Sequence, residues 1–225
     1  MRLGRVDAVV VGAGLMGTWH AHAIRRAGAV VSGVVDVDPA RAARLAARHR
    51  GARPFGNLDA ALQALAPDIV HVCTPLQSHV ALVRVALEAG CHVLAEKPLA
   101  PTADQTRDLL ALADSAGRLL VPVHQFPWQR GALALVGRLP ALGPIVHLEI
   151  GTASAGASGA GKQSPDAIAA DILPHFLALT SRLLNIPLAE QRWTVERFRA
   201  GEWRVAGRCG VIPVHFLVSM SARPT

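Results

Sequence analysis

Lys97 is one of two lysines in a chain of 225 residues that otherwise takes its positive charge from 21 arginines, and it stands in the run His92-Val-Leu-Ala-Glu-Lys-Pro98. An arginine stays protonated throughout the biological range, whereas a lysine ammonium responds to its surroundings and can give or take a proton during a reaction. Val93-Leu94-Ala95 reads as a short buried strand with Glu96-Lys97-Pro98 at its carboxyl end, which is where open parallel α/β sheets bind their ligands. A solvated lysine paired with Glu96 is the plainer reading of the same run. Asp171 and His175 are spaced i, i+4 on an expected helix and share one face. A carboxylate beside an imidazole can orient it and support its charged form, which makes a proton-transfer pair, although the same spacing also serves as an ordinary helix contact. His124 is a further candidate for lining a cleft.

Near the N-terminus, Gly12-Ala-Gly-Leu-Met-Gly17 follows an apolar strand and opens a helix. In that context Gly12 permits a tight turn, Gly14 lets the backbone approach a pyrophosphate and Gly17 permits close helix-to-strand packing. Leu15 and Met16, inside the same loop, are counted with the cofactor contacts. Asp36 ends the next strand, where a carboxylate accepts hydrogen bonds from adenosine ribose hydroxyls and repels a 2′-phosphate. NAD is therefore the expected cofactor, with NADP kept open by Arg41. Thr74 and Pro75, after a further strand, are placed at the switch point of such a sheet, beside the nicotinamide. His79 either joins them or satisfies backbone at the start of its helix. His20 and His22 cannot share a helix face and no H-E-x-x-H occurs, so no metal is expected.

The elements that must hold these residues alternate. Strands are expected at 6–12, 30–36, 68–73, 93–95 and 119–123, with helices from Leu15 to about Ala27, from Pro39 behind an Asp38 cap to about His49, from Asn57, from Ser78 to Ala89, and from Ala103 to Ala116. Strands separated by helices predict a parallel sheet with right-handed crossovers. After Val123 the texture changes. A helix to Arg138, a strand at 145–150, a Gly/Ala/Ser-rich loop at 151–163, a helix from Pro165 to Leu184 and three alternating strands at 191–199, 202–208 and 211–220 describe a second domain. The fold class is thus α/β: a doubly wound Rossmann domain over 1–123 followed by an incomplete α+β domain over 124–225 with an open, mainly antiparallel sheet.

The formal charge of +7 is spread along the chain, and there is no tyrosine. Arg41, Arg44 and Arg48 lie at helical spacing as a solvated face, so no nucleic-acid partner is expected. No apolar run nears the roughly 18 to 20 residues of a membrane span, and no signal-peptide pattern opens the chain, so the expectation is a cytoplasmic protein with a small-molecule substrate. Cys73, Cys91 and Cys209 read as reduced thiols.

Taken together, Val9 to Gly17, Asp68 to His79, Glu96-Lys97-Pro98 and Asp171-x-x-x-His175 resemble the glucose-fructose oxidoreductase / inositol dehydrogenase / MocA (Gfo/Idh/MocA) family. The resemblance implies an NAD(P)-dependent oxidoreductase that moves a hydride between nicotinamide and a carbinol or carbonyl carbon, with a sugar, cyclitol or related small molecule as the expected substrate class. It implies that Lys97 lies beside the reacting oxygen, that His175 is the acid/base and that Asp171 assists it. Glu96 is counted with the cofactor contacts, and Lys97, His124, Asp171 and His175 with the substrate contacts. It also implies a homo-oligomer assembled through the second sheet. Two residue patterns depart from the family, Ala167-Ile-Ala-Ala170 where glycines are usual and Ala178 where an acid is common. Family members are further expected to continue for roughly a hundred residues past Thr225, a length that also fits ordinary domain sizes. With such a shortened second domain, the expectation is either that another chain completes the sheet or that the strand at 211–220 is an exposed edge. A non-catalytic dinucleotide-binding sensor or scaffold and an imine reductase are the alternative readings.

Overall fold

The computed structural model describes residues 5–154, 164–188 and 191–220. They fall into two compact units, Met1–Val123 and His124–Thr225. The first unit is a six-stranded sheet of β1 (Asp7–Val11), β2 (Val30–Val35), β3 (Arg53–Phe55), β4 (Ile69–Val72), β5 (His92–Ala95) and β6 (Leu120–Pro122), in the order β3-β2-β1-β4-β5-β6. Every pairing is parallel. The apolar runs of β1 and β4 allow helices on both faces, because successive side chains alternate across the sheet. Val9, Val11, Val70 and Val72 bury themselves with Leu58, Ala61, Val83, Leu87 and Leu109, contributed by α3 (Leu58–Leu65), α4 (His79–Glu88) and α5 (Ala103–Ser115). Ala8, Val10 and Val34 turn the other way, onto Ala21, Ile24, Ala42 and Leu45 of α1 (Leu15–Arg26) and α2 (Pro39–Ala46).

Local chemistry explains the boundaries. Asp38 caps α2 by accepting from the amides of Ala40 and Arg41, with Pro39 in the first turn; Asn57 caps α3 and Thr102 caps α5 in the same way. Two boundaries differ from the sequence expectation. α2 ends at Ala46 rather than near His49, since the amides of Arg48 and His49 bond three residues back and tighten into a turn. The strand β3 is an addition: only three residues long and containing Pro54, it sits at the sheet edge, where the missing amide hydrogen is tolerated.

The second unit has α6 (Arg130–Leu142), β7 (Leu148–Ala153), α7 (Pro165–Leu184), β8 (Trp193–Arg199), β9 (Glu202–Cys209) and β10 (Ile212–Ser219). Its sheet runs β7-β10-β9-β8, with β10 parallel to β7 and antiparallel to β9. Three corrections follow. The residues at 211–220 are not the exposed edge, because β10 is interior; β7 and β8 are the edges. The strand expected at 145–150 lies at Leu148–Ala153, so Gly151–Ala153 are strand rather than loop, while 155–163 of the expected loop lie outside the described residues. The helix α7 meets the length and composition of a membrane span, with a mean hydropathy of 1.3, against the expectation that no segment would. It nonetheless places Ala169 and Phe176 in one core with Val205, Val214, Phe216 and Val218.

Asp166 fixes the start of α7 to the β8–β9 hairpin. Its carboxylate accepts from the Arg197 guanidinium at 2.9 Å, the Gly201 amide at 2.8 Å and the Trp203 indole N–H at 2.8 Å. These donors, the Arg197 hydrogen bond foremost, hold the carboxyl well below the usual range. Asp166→Ala releases all three donors and Arg197→Ala only one, so thermal denaturation is expected to show a larger drop in Tm for Asp166→Ala; the reverse order would contradict this account.

Candidate functional site

β1 ends in a turn that only glycine can make. Gly12 has φ +96°, and a Cβ there would lie 2.6 Å from the Cys73 carbonyl oxygen. A Cβ on Gly17 would lie 1.8 Å from the Gly12 carbonyl oxygen, so α1 can rest on the turn only without a side chain at that position. Gly14 is different: a Cβ there would meet nothing within 4 Å. Gly14 is also the N-cap of α1 and offers no side-chain cap, whereas α2, α3 and α5 are closed by Asp, Asn and Thr side chains. The first amides of α1 therefore face an open approach with their partial positive charge, an arrangement that suits a phosphate. Leu15 and Met16 flank it with exposed apolar side chains.

Asp36, just past β2, aims its carboxylate at the same turn. Oδ2 accepts from the Ala13 amide at 2.7 Å and Oδ1 from the Asp38 amide at 2.9 Å. Each oxygen keeps lone-pair capacity for a hydroxyl donor. Arg41 is exposed and its Nε lies 3.4 Å from Asp38.

Thr74 follows β4 and packs its methyl group 3.1 Å from where a Gly12 Cβ would be, while its hydroxyl accepts from Ser78 at 2.7 Å. His79 is completely buried, with Nε2 2.8 Å from the Thr74 carbonyl oxygen and Nδ1 2.9 Å from the Pro98 carbonyl oxygen. Both ring nitrogens are engaged by backbone. His79 thereby ties the segment after β4 to the segment after β5. Lys97 lies in that second segment, half-buried, and its peptide bond to Pro98 is cis.

The Glu96 carboxylate turns inward, toward α1. His20 on α1 lies 3.2 Å from Glu96 Oε1 through Nε2 and 3.0 Å from His71 Nδ1 through Nδ1. Alternation along β4 explains the meeting, since Val70 and Val72 face α4 and His71 must face α1. Burial, reinforced by the His20 charge, lowers His71 to about 3. Its ring is neutral at physiological pH. Burial opposes ionisation of Glu96, but the His20 N–H, the His20 charge and the adjacent Lys97 amide and ammonium together hold it below the usual range. Burial and the Glu96 charge push the Cys73 thiol up. No spacing rule could have found this network, whose members come from three elements.

In the second unit His175 is buried on α7, stacked on Phe126 at 4.7 Å and 17°, with His124 edge-on at 6.0 Å. Asp171, one turn earlier, is exposed. Pro174 precedes His175 inside the helix and removes the amide that would bond the Ala170 carbonyl. The structure thus gathers the three glycines, Asp36 and Thr74 in the first unit, and His124 with His175 in the second.

Residues 6–124 match a family described as "Oxidoreductase family, NAD-binding Rossmann fold" (GFO_IDH_MocA). An inositol 2-dehydrogenase of Leifsonia xyli subsp. xyli is 43% identical over 111 residues, 48% of this chain and 32% of that protein. Matches to the curated relatives thus span about a third of their length. Among solved structures, the UDP-N-acetylglucosamine 3-dehydrogenase GnnA of Acidithiobacillus ferrooxidans has a TM-score of 0.83 at 25% identity, covering 99% of this chain and 72% of that one. GenD2 from gentamicin A biosynthesis, solved in complex with NAD, shares the fold with a TM-score of 0.84 at 23% identity, covering 100% and 68%.

The buried imidazole has a consequence for acid stability. Below its ordinary pKa of 6.5 His71 gains a proton in the unfolded chain but not in the folded one until about pH 3. Stability therefore falls as pH drops through that window, by at most about 5 kcal/mol from this group. Urea unfolding between about pH 7 and 5.5, before the ordinary carboxylate range is reached, is expected to show a shallower decline for His71→Leu than for the parent chain. Parallel declines would remove His71 as the source.

Proposed function

The chain belongs to the Gfo/Idh/MocA oxidoreductase family, with its NAD-binding Rossmann fold, and from that premise we propose that it is an NAD-linked dehydrogenase acting on a secondary alcohol of a sugar, a cyclitol or a related small molecule. The observation that carries the reading is the glycine turn held shut by Gly12 and Gly17, open at Gly14, and faced by the Asp36 carboxylate. NAD, when bound, supplies the acceptor or donor of the hydride. The uncapped amides of α1 suit its pyrophosphate, and Asp36 suits ribose hydroxyls and disfavours the extra phosphate of NADP. Lys97 polarises the substrate oxygen through its ammonium. His175 takes the hydroxyl proton on oxidation and returns it on reduction, and Asp171 supports the charged imidazole. The inositol and UDP-N-acetylglucosamine dehydrogenases among the relatives support the substrate class. A second copy of the chain, docked on the open face of the β7-β10-β9-β8 sheet, is the proposed oligomeric partner.

NADH is expected to bind more tightly than NADPH in calorimetry; the opposite order would overturn the role given to Asp36. With a substrate found in a panel of polyols, keto-sugars and imines, Lys97→Met is expected to keep NADH affinity and lose about 10²- to 10⁴-fold in turnover. Binding of NADH without hydride transfer to any member of the panel would favour a non-catalytic dinucleotide-binding protein, and turnover of imines alone an imine reductase.

A further inference from the structure

Outside the residues considered so far, the second sheet gathers three metal-binding side chains on one face. Val214, Phe216 and Val218 of β10 are buried against α7, so the intervening His215 points to the opposite side. β10 pairs in parallel with β7, and its register sets His215 directly beside Glu149. His147 immediately precedes β7 and is two residues from Glu149, so the same alternation puts both on the face that carries His215. One ligand atom from each of His147, Glu149 and His215 lies within 4.8 Å of the others. The two imidazoles sit with ring centroids 5.1 Å apart at 68°.

We propose that His147, Glu149 and His215 form a binding site for a divalent transition-metal ion of the zinc class. Two imidazole nitrogens and one carboxylate oxygen are borderline donors, which select zinc, cobalt, nickel or copper over calcium or magnesium. Zinc–nitrogen and zinc–oxygen bonds of about 2.0–2.2 Å place tetrahedral donors about 3.4 Å apart. His147 and Glu149 are exposed and His215 half-buried, so side-chain rotation alone closes the remaining gap. Three protein ligands leave a fourth position for water or for a ligand from outside the chain. The ion would clip the edge strand β7 to β10 and, by binding only the folded chain, raise its stability.

The test is titration of the chelator-treated full chain with zinc chloride by calorimetry, with Tm measured alongside. One ion per chain and a raised Tm are expected. His147→Ala, His215→Ala and Glu149→Gln are each expected to weaken binding by at least about tenfold, the lower range seen even for residues that only support metal ligands. Because these side chains lie outside the core packed against α7, the variants should keep the parent Tm in the absence of zinc. The exposed His22→Ala serves as a control that leaves binding unchanged. Absence of zinc binding to the parent chain, or zinc binding that the His147→Ala/His215→Ala double variant retains, would overturn the site.

Discussion

The contact between Gly17 and the Gly12 carbonyl oxygen is the tightest constraint in the first unit, since a single methyl group there would sit 1.8 Å from an oxygen. Close approach at that point lays α1 on β1, and His20 lies one turn further along the same helix. From there its ring reaches both His71 on β4 and Glu96 after β5. The turn that faces the phosphate approach and the segment that carries Lys97 are therefore held by one helix. His79 adds a second tie, from the segment after β4 to the carbonyl that follows Lys97. Side chains that touch no ligand thus define where the ligand-facing backbone can be.

The second unit solves a similar problem by stacking. His175 is gripped by Phe126, and Phe126 in turn meets Phe176, which packs edge-on against Phe216 of the sheet. An imidazole held in that manner has little rotational freedom. Asp166 secures the same helix at its other end, so α7 is fixed at its start and along its buried face.

What could be read directly from sequence was local. The glycine turn, Asp36 and the Asp38 cap declare themselves within a few residues, because the physics that selects them acts over a few residues. The α7 boundaries also emerged intact from Pro165 and the apolar period. Features set by tertiary register did not. His20 meets a partner 51 residues away, and β3 is too short and too interrupted by proline to show alternation. The interior position of β10 depends on a parallel pairing with β7 that hairpin logic does not anticipate, and the inward turn of Glu96 depends on a histidine from another element. Lys97 illustrates both sides: its rarity is visible in composition, while the network behind Glu96 that fixes its neighbour appears only in three dimensions.

The pairing of Glu149 with His215 also bears on how the chain is made. β8, β9 and β10 can form successive hairpins as they leave the ribosome, but β7 has no strand partner until β10 exists. Through the synthesis of α7 and two further strands its backbone groups stay unpaired, and parallel pairing between distant segments is the slow kind. The alternation of Leu148, Ile150 and Thr152 with Glu149 and Gly151 gives this waiting strand one polar face. A charged residue in its middle is the sort of feature that discourages pairing with a wrong neighbour before the right one arrives.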